Sequence, residues 1–218
     1  MNNDTMGMFL HELKTPLAVI RSHLESEVNN EQVPLEVRRK MVLDVEEIAR
    51  LNHLIGEMKT VMSCDKKSLQ LSFKQESLVE LLVDVVELLE PLAHDKEQKL
   101  TFVVSQNIAL FMNKEKLLQL FYNLIHNAIK YTQIGGEIEV SCRETKKGIE
   151  VIICDNGEGI SPEDQGDIFE PFYRANKESK TPGTGLGLAV VKSILESHDG
   201  VVSLVSEVDK GSQFCIRF

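Results

Sequence analysis

The spacing of apolar residues changes character once along the chain. Near the start, Leu10, Leu13, Leu17, Ile20 and Leu24 recur at intervals of three and four, the a/d spacing of a helix that buries a single seam. A polar stretch, Asn29-Asn30-Glu31-Gln32, interrupts it, and Pro34 suits the start of a second helix. Met41, Ile48, Leu51, Ile55, Met58 and Met62 continue the heptad pattern there, with Asp44 as the one break. Two long helices joined by a short loop make an antiparallel hairpin. A lone hairpin leaves such a seam partly open. Pairing two hairpins into a four-helix bundle closes it, so a homodimer is expected; packing of the hairpin on the rest of its own chain is the alternative.

Beyond about residue 65 the pattern alternates between periods of two and of 3.6. Short alternating runs predict strands at Ser68–Phe73, Leu100–Val104 and Ile108–Met112. Helices are expected over Glu76–Ala93, Asn113–Tyr131 and Leu186–His198. Glu137–Glu144 and Gly148–Cys154 flank Lys146-Lys147-Gly148 as a hairpin, and Val201–Val205 with Ser212–Phe218 form a last one. Strands interleaved with helices indicate an α+β chain whose second part is an α/β sandwich with helices on one face. Of the 13 glycines, only Gly7 and Gly56 lie in the helical part. The expected domains are residues 1–64 and 65–218.

Composition is that of a globular protein, 42% apolar and 27% charged. The excess of 34 acidic over 24 basic side chains argues against nucleic acid or an anionic membrane surface as partner, since both need a positive footprint. No run reaches the ~18–20 apolar residues of a membrane span. Among the cysteines, Cys142, Cys154 and Cys215 fall in apolar alternating runs and are expected to be small buried hydrophobes. No C-x2-C pair is present.

The first chemical feature is His11-Glu12. With Leu10 at an a position, His11, Glu12 and Thr15 fall at b, c and f, away from the seam. His11 and Thr15 share a face, and Pro16 is expected to disturb the helix beside them. A solvent-exposed imidazole can attack phosphorus, and a neighbouring carboxylate can hold the other ring nitrogen and take its proton. On these residues alone an ordinary solvated His–Glu pair is the simpler reading. The remaining histidines, His23, His53, His94, His126 and His198, show no second ligand one turn on and read as ordinary surface or core positions.

Four further clusters bear on a polyphosphate. Asn123, Asn127 and Lys130 lie at helical spacing on one side of the expected helix Asn113–Tyr131, opposite Leu124, Ile125, Ala128 and Ile129. An amide oxygen is a suitable ligand for Mg2+; an ordinary amphipathic helix would look the same. Asp155-Asn156-Gly157-Glu158-Gly159 follows a strand, so its carboxylate could accept from an exocyclic amine, although D-N-G is also a common turn. Phe169-Glu170-Pro171-Phe172-Tyr173-Arg174 places apolar residues in a loop. Gly183-Thr184-Gly185-Leu186-Gly187 opens a helix, where backbone N–H groups can face phosphate. It is neither a Rossmann nor a Walker sequence.

Together these residues resemble a known family. His11-Glu12-Leu13-Lys14-Thr15-Pro16 resembles the phosphoacceptor box of sensor histidine kinases, and the four later clusters resemble, in order, that family's N, G1, F and G2 boxes. The resemblance implies a dimerisation and histidine phosphotransfer hairpin (1–64) followed by a Bergerat-type catalytic ATP-binding domain (65–218). It implies His11 as phosphoacceptor, Glu12 as general base and Thr15 as the residue that positions water for dephosphorylating the partner. It implies Asn127 on Mg2+, Asn123 and Lys130 on the phosphates of ATP, and Tyr131 near the nucleoside. Asp155 would read adenine on a turn shaped by Gly157 and Gly159, and Gly183, Gly185 and Gly187 would flank the triphosphate. Residues 160–184 would form the ATP lid, with Phe169 and Phe172 gripping the bundle. The expected partners are a second copy and a response regulator that takes the phosphoryl group on an aspartate. The expected setting is a cytoplasmic fragment of a protein anchored in the cell membrane by a missing N-terminal region. A Bergerat-type ATPase driving a clamp, an anti-sigma-type serine kinase and a nucleotide-binding scaffold are the competing readings.

Overall fold

The structure, a computed structural model, describes residues 3–63, 72–104, 106–175 and 183–218, without the side chains of residues 3–9, 11 and 63. The chain divides into two compact units, Met1–Ser63 and Cys64–Phe218.

The first unit packs helix α1 (Asn3–Val28) against helix α2 (Leu35–Ser63). Pro34 stands immediately before α2, where a missing N–H loses nothing, and its carbonyl accepts from Val37 and Arg38. Leu10, Ile48 and Ile55 are buried, whereas Ile20 and Leu51 remain 49% and 39% exposed within one chain. The helical assignment of α1 runs through Pro16, against the expectation of a disturbance there. One lost donor is tolerated because the ring faces solvent and the neighbouring turns are intact. His53 lies 3.7 Å from Glu57, one turn on, so it does have the acidic neighbour that the sequence reading overlooked.

The second unit contains β1 (Lys74–Ser77), α3 (Leu78–Asp95), β2 (Lys99–Val104), β3 (Ala109–Met112), α4 (Lys114–Tyr131), β4 (Glu137–Thr145), β5 (Gly148–Asp155), α5 (Gly187–Ser197), β6 (Val201–Glu207) and β7 (Gly211–Arg217). The strand expected at Ser68–Phe73 lies outside the described residues as far as 71. Glu76 and Ser77 belong to β1 rather than to a helix, because the Ser77 hydroxyl caps α3 by accepting the Glu80 N–H at 3.2 Å. The main sheet has the order β2-β4-β5-β7-β6, with β2 parallel to β4 and the other pairs antiparallel; β1 pairs with β3.

One face of the sheet is covered. Ile138, Val140 and Cys142 of β4, Val151 and Ile153 of β5, and Phe214 and Ile216 of β7 are buried, in step with the period of two. α3, α4 and α5 pack on this side through stripes such as Leu117, Leu120, Phe121, Leu124 and Ile125 of α4. The other face carries Glu150 between Arg143 and Arg217, whose hydrogen bonds hold its carboxyl below the usual carboxylate range. Cys154 lies on that outer face and is exposed, and Cys215 is half-buried, so only Cys142 is buried as expected. Alternation decides this: Cys154 follows the buried Ile153 and precedes the buried Asp155. Among the described residues no helix is long and apolar enough to cross a membrane.

Phe121 of α4 is fully buried. Phe121→Ala should lower stability by ~3–5 kcal/mol in chemical denaturation, the range for emptying an aromatic core position.

Candidate functional site

Helix α4 sets the geometry of the site. Asn113 caps its start by accepting the Lys116 N–H at 3.0 Å. His198, at the end of α5, is held there as a neutral side chain. Its Nε2 accepts the Asn113 N–H at 3.2 Å and its Nδ1 lies 2.9 Å from the Ile194 carbonyl, so Nδ1 carries the proton; burial pushes its pKa down.

The apolar stripe of α4 points inward and leaves Asn123, Asn127 and Lys130 on the remaining face. Asn123 is buried, and its Nδ2 donates to the Gly187 carbonyl at 3.3 Å, tying α4 to the glycine-rich segment. Lys130 Nζ lies 3.0 Å from the Tyr131 hydroxyl and 4.6 Å from the centre of its ring. A β-carbon added to Gly183 would come 2.5 Å from that same Nζ. The lysine and the glycines, 53 positions apart at Lys130 and Gly183, therefore meet. Asn127 is half-buried, and among the described residues its amide has no hydrogen-bond partner. No group of three or more His, Cys, Asp or Glu side chains among the described residues could hold a metal. An ion here would thus be held mainly by its substrate, as Mg2+ commonly is, with a free amide oxygen as protein ligand; the residues fit that group.

Asp155 ends β5 with its carboxylate buried. Oδ1 accepts the Gly157 N–H at 2.9 Å and the Ser212 N–H at 3.2 Å, while Oδ2 takes no hydrogen bond from a described residue. Burial raises its pKa above the usual carboxylate value, partly offset by the two N–H donors. Gly157 lies flat against the Tyr131 carbonyl, where a side chain would collide, and the Glu158 N–H donates to that carbonyl at 3.1 Å. The end of α4 and the Asp155 turn are thereby joined. Gly159 continues the turn beside Glu207.

The segment after this turn is pinned at its base. Tyr173 donates its hydroxyl to Asp164 at 2.7 Å, which holds that carboxyl below the usual range and pushes the phenol up to about 12. The Phe172 N–H donates to the Gly185 carbonyl at 2.9 Å, and Gly185 has φ +72, a backbone conformation that suits glycine, pressed on the Phe172–Tyr173 backbone. Phe169 is half-buried and Phe172 is 61% exposed. Of the expected lid, residues 176–182 lie outside the described ones.

The structure thus gathers Asn123, Lys130, Tyr131, Asp155, Gly157, Gly183, Gly185 and Gly187 around one face. Glu12 and Thr15 are exposed on α1 in the other unit, and the side chain of His11 lies outside the described ones. Sequence reading missed Ser212. It supports Asp155 through its N–H, and its hydroxyl lies 2.9 Å from that of Ser206, which also accepts the Ile160 N–H. The D-K-G-S turn at Asp209–Ser212 was the available signal, and it was read only as a hairpin.

These features define a class. Residues 112–218 match the family described as histidine kinase-, DNA gyrase B- and HSP90-like ATPase, and the chain as a whole resembles the sensor histidine kinases that carry a Bergerat-type catalytic domain. It is 31% identical over 220 residues to the sensor protein SrrB of Staphylococcus aureus (strain NCTC 8325 / PS 47), a match that takes in 100% of this chain and 38% of that protein. The chain therefore spans less than two fifths of the curated relatives it matches. Among solved structures it resembles the Acinetobacter baumannii histidine kinase AdeS, with 25% identity and TM-score 0.68 over 95% of this chain and 96% of that one. It shares its fold with full-length ShkA in complex with AMPPNP, with 24% identity and TM-score 0.86 over 99% of this chain and 45% of that one.

Asp155→Asn separates fold from function. The wild-type carboxyl, with its raised folded pKa, binds its proton more tightly folded than unfolded, so its charged form weakens the fold above that pKa. The neutral variant should be at least as stable as wild type in urea at pH 7, and the difference should shrink as pH falls towards the unfolded value.

Proposed function

We propose that this chain is the phosphotransfer core of a homodimeric sensor kinase: it binds Mg-ATP in the second unit, phosphorylates His11 in the first, and passes the phosphoryl group to an aspartate of a response regulator. The observation that carries the reading is the meeting of Lys130 and Asn123 with the Gly183–Gly187 segment beside a buried carboxylate. These lie in the same chain as a His11-Glu12-Leu13-Lys14-Thr15-Pro16 helix.

In this mechanism Asp155 Oδ2 accepts the adenine amine, which fixes the base at the closed end of the site. Tyr131 packs near the nucleoside, and Gly157 and Gly159 let the backbone approach it. Lys130 and Asn123 contact phosphates, and Gly183, Gly185 and Gly187 turn backbone N–H groups towards the same oxygens. Asn127 would hold Mg2+, which when bound neutralises phosphate charge. The His11 imidazole attacks the γ-phosphorus in line: a nitrogen–phosphorus bond forms, the bond to the β–γ bridging oxygen breaks, and ADP leaves. Glu12 holds the other ring nitrogen and accepts its proton. Thr15 positions water for dephosphorylation of the regulator.

The domain roles follow as 1–64 for dimerisation and acceptor and 65–218 for catalysis. Ile20 and Leu51 stay exposed in one chain and would be covered by a second hairpin. The setting we propose is the cytoplasmic part of a protein held at the cell membrane by a region outside this chain.

Incubation with γ-labelled ATP and Mg2+ should give an acid-labile, alkali-stable phosphoprotein. His11→Gln should abolish the label and leave ADP affinity unchanged; persistent label places the acceptor elsewhere. Asn127→Ala should lose label and at least ~10-fold in Mg-ATP affinity, the loss typical of a removed ion contact or charged hydrogen bond. ADP binding in calorimetry should weaken as pH falls through the raised pKa of Asp155, because the amine needs an ionised acceptor. Asp155→Asn should bind weakly at every pH.

A further inference from the structure

We infer that Lys96 and Gln98, which lie outside the nucleotide face, are positioning residues that set the affinity of the site by clamping the last turn of α4. The inference rests on the proposed ATP site and concerns residues that no motif of that site includes.

The last turn of any helix leaves its carbonyls without partners inside the helix, and it carries the negative end of the helix dipole. In α4 that turn also carries Lys130 and Tyr131. Lys96, just past the end of α3, inserts its ammonium among these carbonyls: Nζ lies 2.8 Å from Ile129 O, 3.0 Å from Lys130 O and 3.2 Å from Thr132 O. Gln98 Nε2 adds Ile129 O at 3.0 Å, Thr132 O at 2.7 Å and Gln133 O at 3.2 Å. Four carbonyls at the end of α4, those of Ile129, Lys130, Thr132 and Gln133, are thus gathered by two side chains from the α3–β2 connection. The backbone follows: the Gly135 N–H donates to Lys96 O at 3.0 Å, and the Lys99 N–H donates to Gly136 O at 2.9 Å.

Two features take this clamp beyond a generic helix end. The first is its far side. Between the clamped carbonyls of Lys130 and Thr132, the carbonyl of Tyr131 accepts the Glu158 N–H at 3.1 Å and faces Gly157 in the Asp155 turn. The turn is therefore gripped from α3 on one side and joined to the adenine-reading segment on the other. The second is a local cost. Gln98 Oε1 and Thr132 Oγ1 are buried there without a hydrogen-bond partner. A buried amide that satisfies one end and leaves the other bare is disfavoured for stability alone, and such exceptions concentrate where geometry serves function. The ammonium has an electrostatic effect as well: it offsets the negative helix end close to where the phosphates of ATP would lie beside Lys130.

The full chain tests this with Lys96→Met and Lys96→Arg. Three quantities are measured: ADP Kd by calorimetry, KM and kcat for labelling by ATP, and Tm. Lys96→Met should raise Kd and KM about tenfold, with kcat at saturating Mg-ATP within about twofold of wild type, because the acceptor helix is untouched. Lys96→Arg, which keeps charge and donors, should stay within about threefold of wild-type Kd. A Lys96→Met chain with lowered Tm or kcat but unchanged Kd and KM overturns the inference, since that is the outcome of a merely structural cap. Should Lys96→Met fail to fold, Lys96→Gln takes its place with an expected rise in Kd of about threefold, and an unchanged Kd there is equally fatal. Wild-type chain that binds no ADP would sink the reading of the site itself, and this inference with it.

Discussion

The burial of one apolar stripe, along α4, is the constraint on which the site depends. Leu117, Leu120, Phe121, Leu124, Ile125, Ala128 and Ile129 are driven out of water between the sheet and the neighbouring helices. Each of the leucine, isoleucine and phenylalanine side chains contributes on the order of 1.5–3 kcal/mol when fully buried. Because a helix has 3.6 residues per turn, fixing that stripe also fixes the azimuth of everything else on it. Asn123 and Lys130 meet the glycine-rich segment, with Asn127 on the same side of the helix, as a consequence of which residues face the core.

The polar parts of the site then follow from contacts made at the ends of elements. Asp155 terminates a buried strand, and two backbone N–H groups hold one of its oxygens while the other stays open. An ionised carboxylate in such a place is disfavoured by burial, and this makes it a useful acceptor for an amine that replaces lost water. The glycines at 157 and 185 are required where two backbones press together, against Tyr131 in one case and against Phe172 and Tyr173 in the other. Stability and binding pull in opposite directions at Asp155, a common arrangement at functional sites.

The division into two units places the His11-Glu12-Leu13-Lys14-Thr15-Pro16 run and the face around Lys130 and Gly183 on separately packed bodies. Each unit has its own core: the seam around Leu10, Ile48 and Ile55 in one, the sheet and its three described helices in the other. In the reading proposed here, chemistry occurs only when the two meet, so an activity of this kind can be regulated by controlling the encounter without altering either core.

Much of this was legible in the sequence, because periodicity and short motifs report on local structure. The seam of leucines pointed to the hairpin, alternating runs to β4, β5 and β7, and the asparagine, aspartate and glycine clusters to residues that the fold brings together on one face. The errors share a cause. Cys154 was read as buried because its run is apolar, yet which side of a strand meets helices is settled only when the sheet packs. Glu76 and Ser77 were read as helix because a capping serine is apparent only once its hydroxyl has found an N–H. Ser212, Lys96 and Gln98 were passed over because each acts on a turn 30 or more positions away. The sequence by itself determined the order of elements, the two units and the chemical types available. Only the tertiary structure decided which backbone groups those side chains would meet, since hydrogen bonds between distant segments depend on how the cores bring them together and leave no periodic trace in the chain.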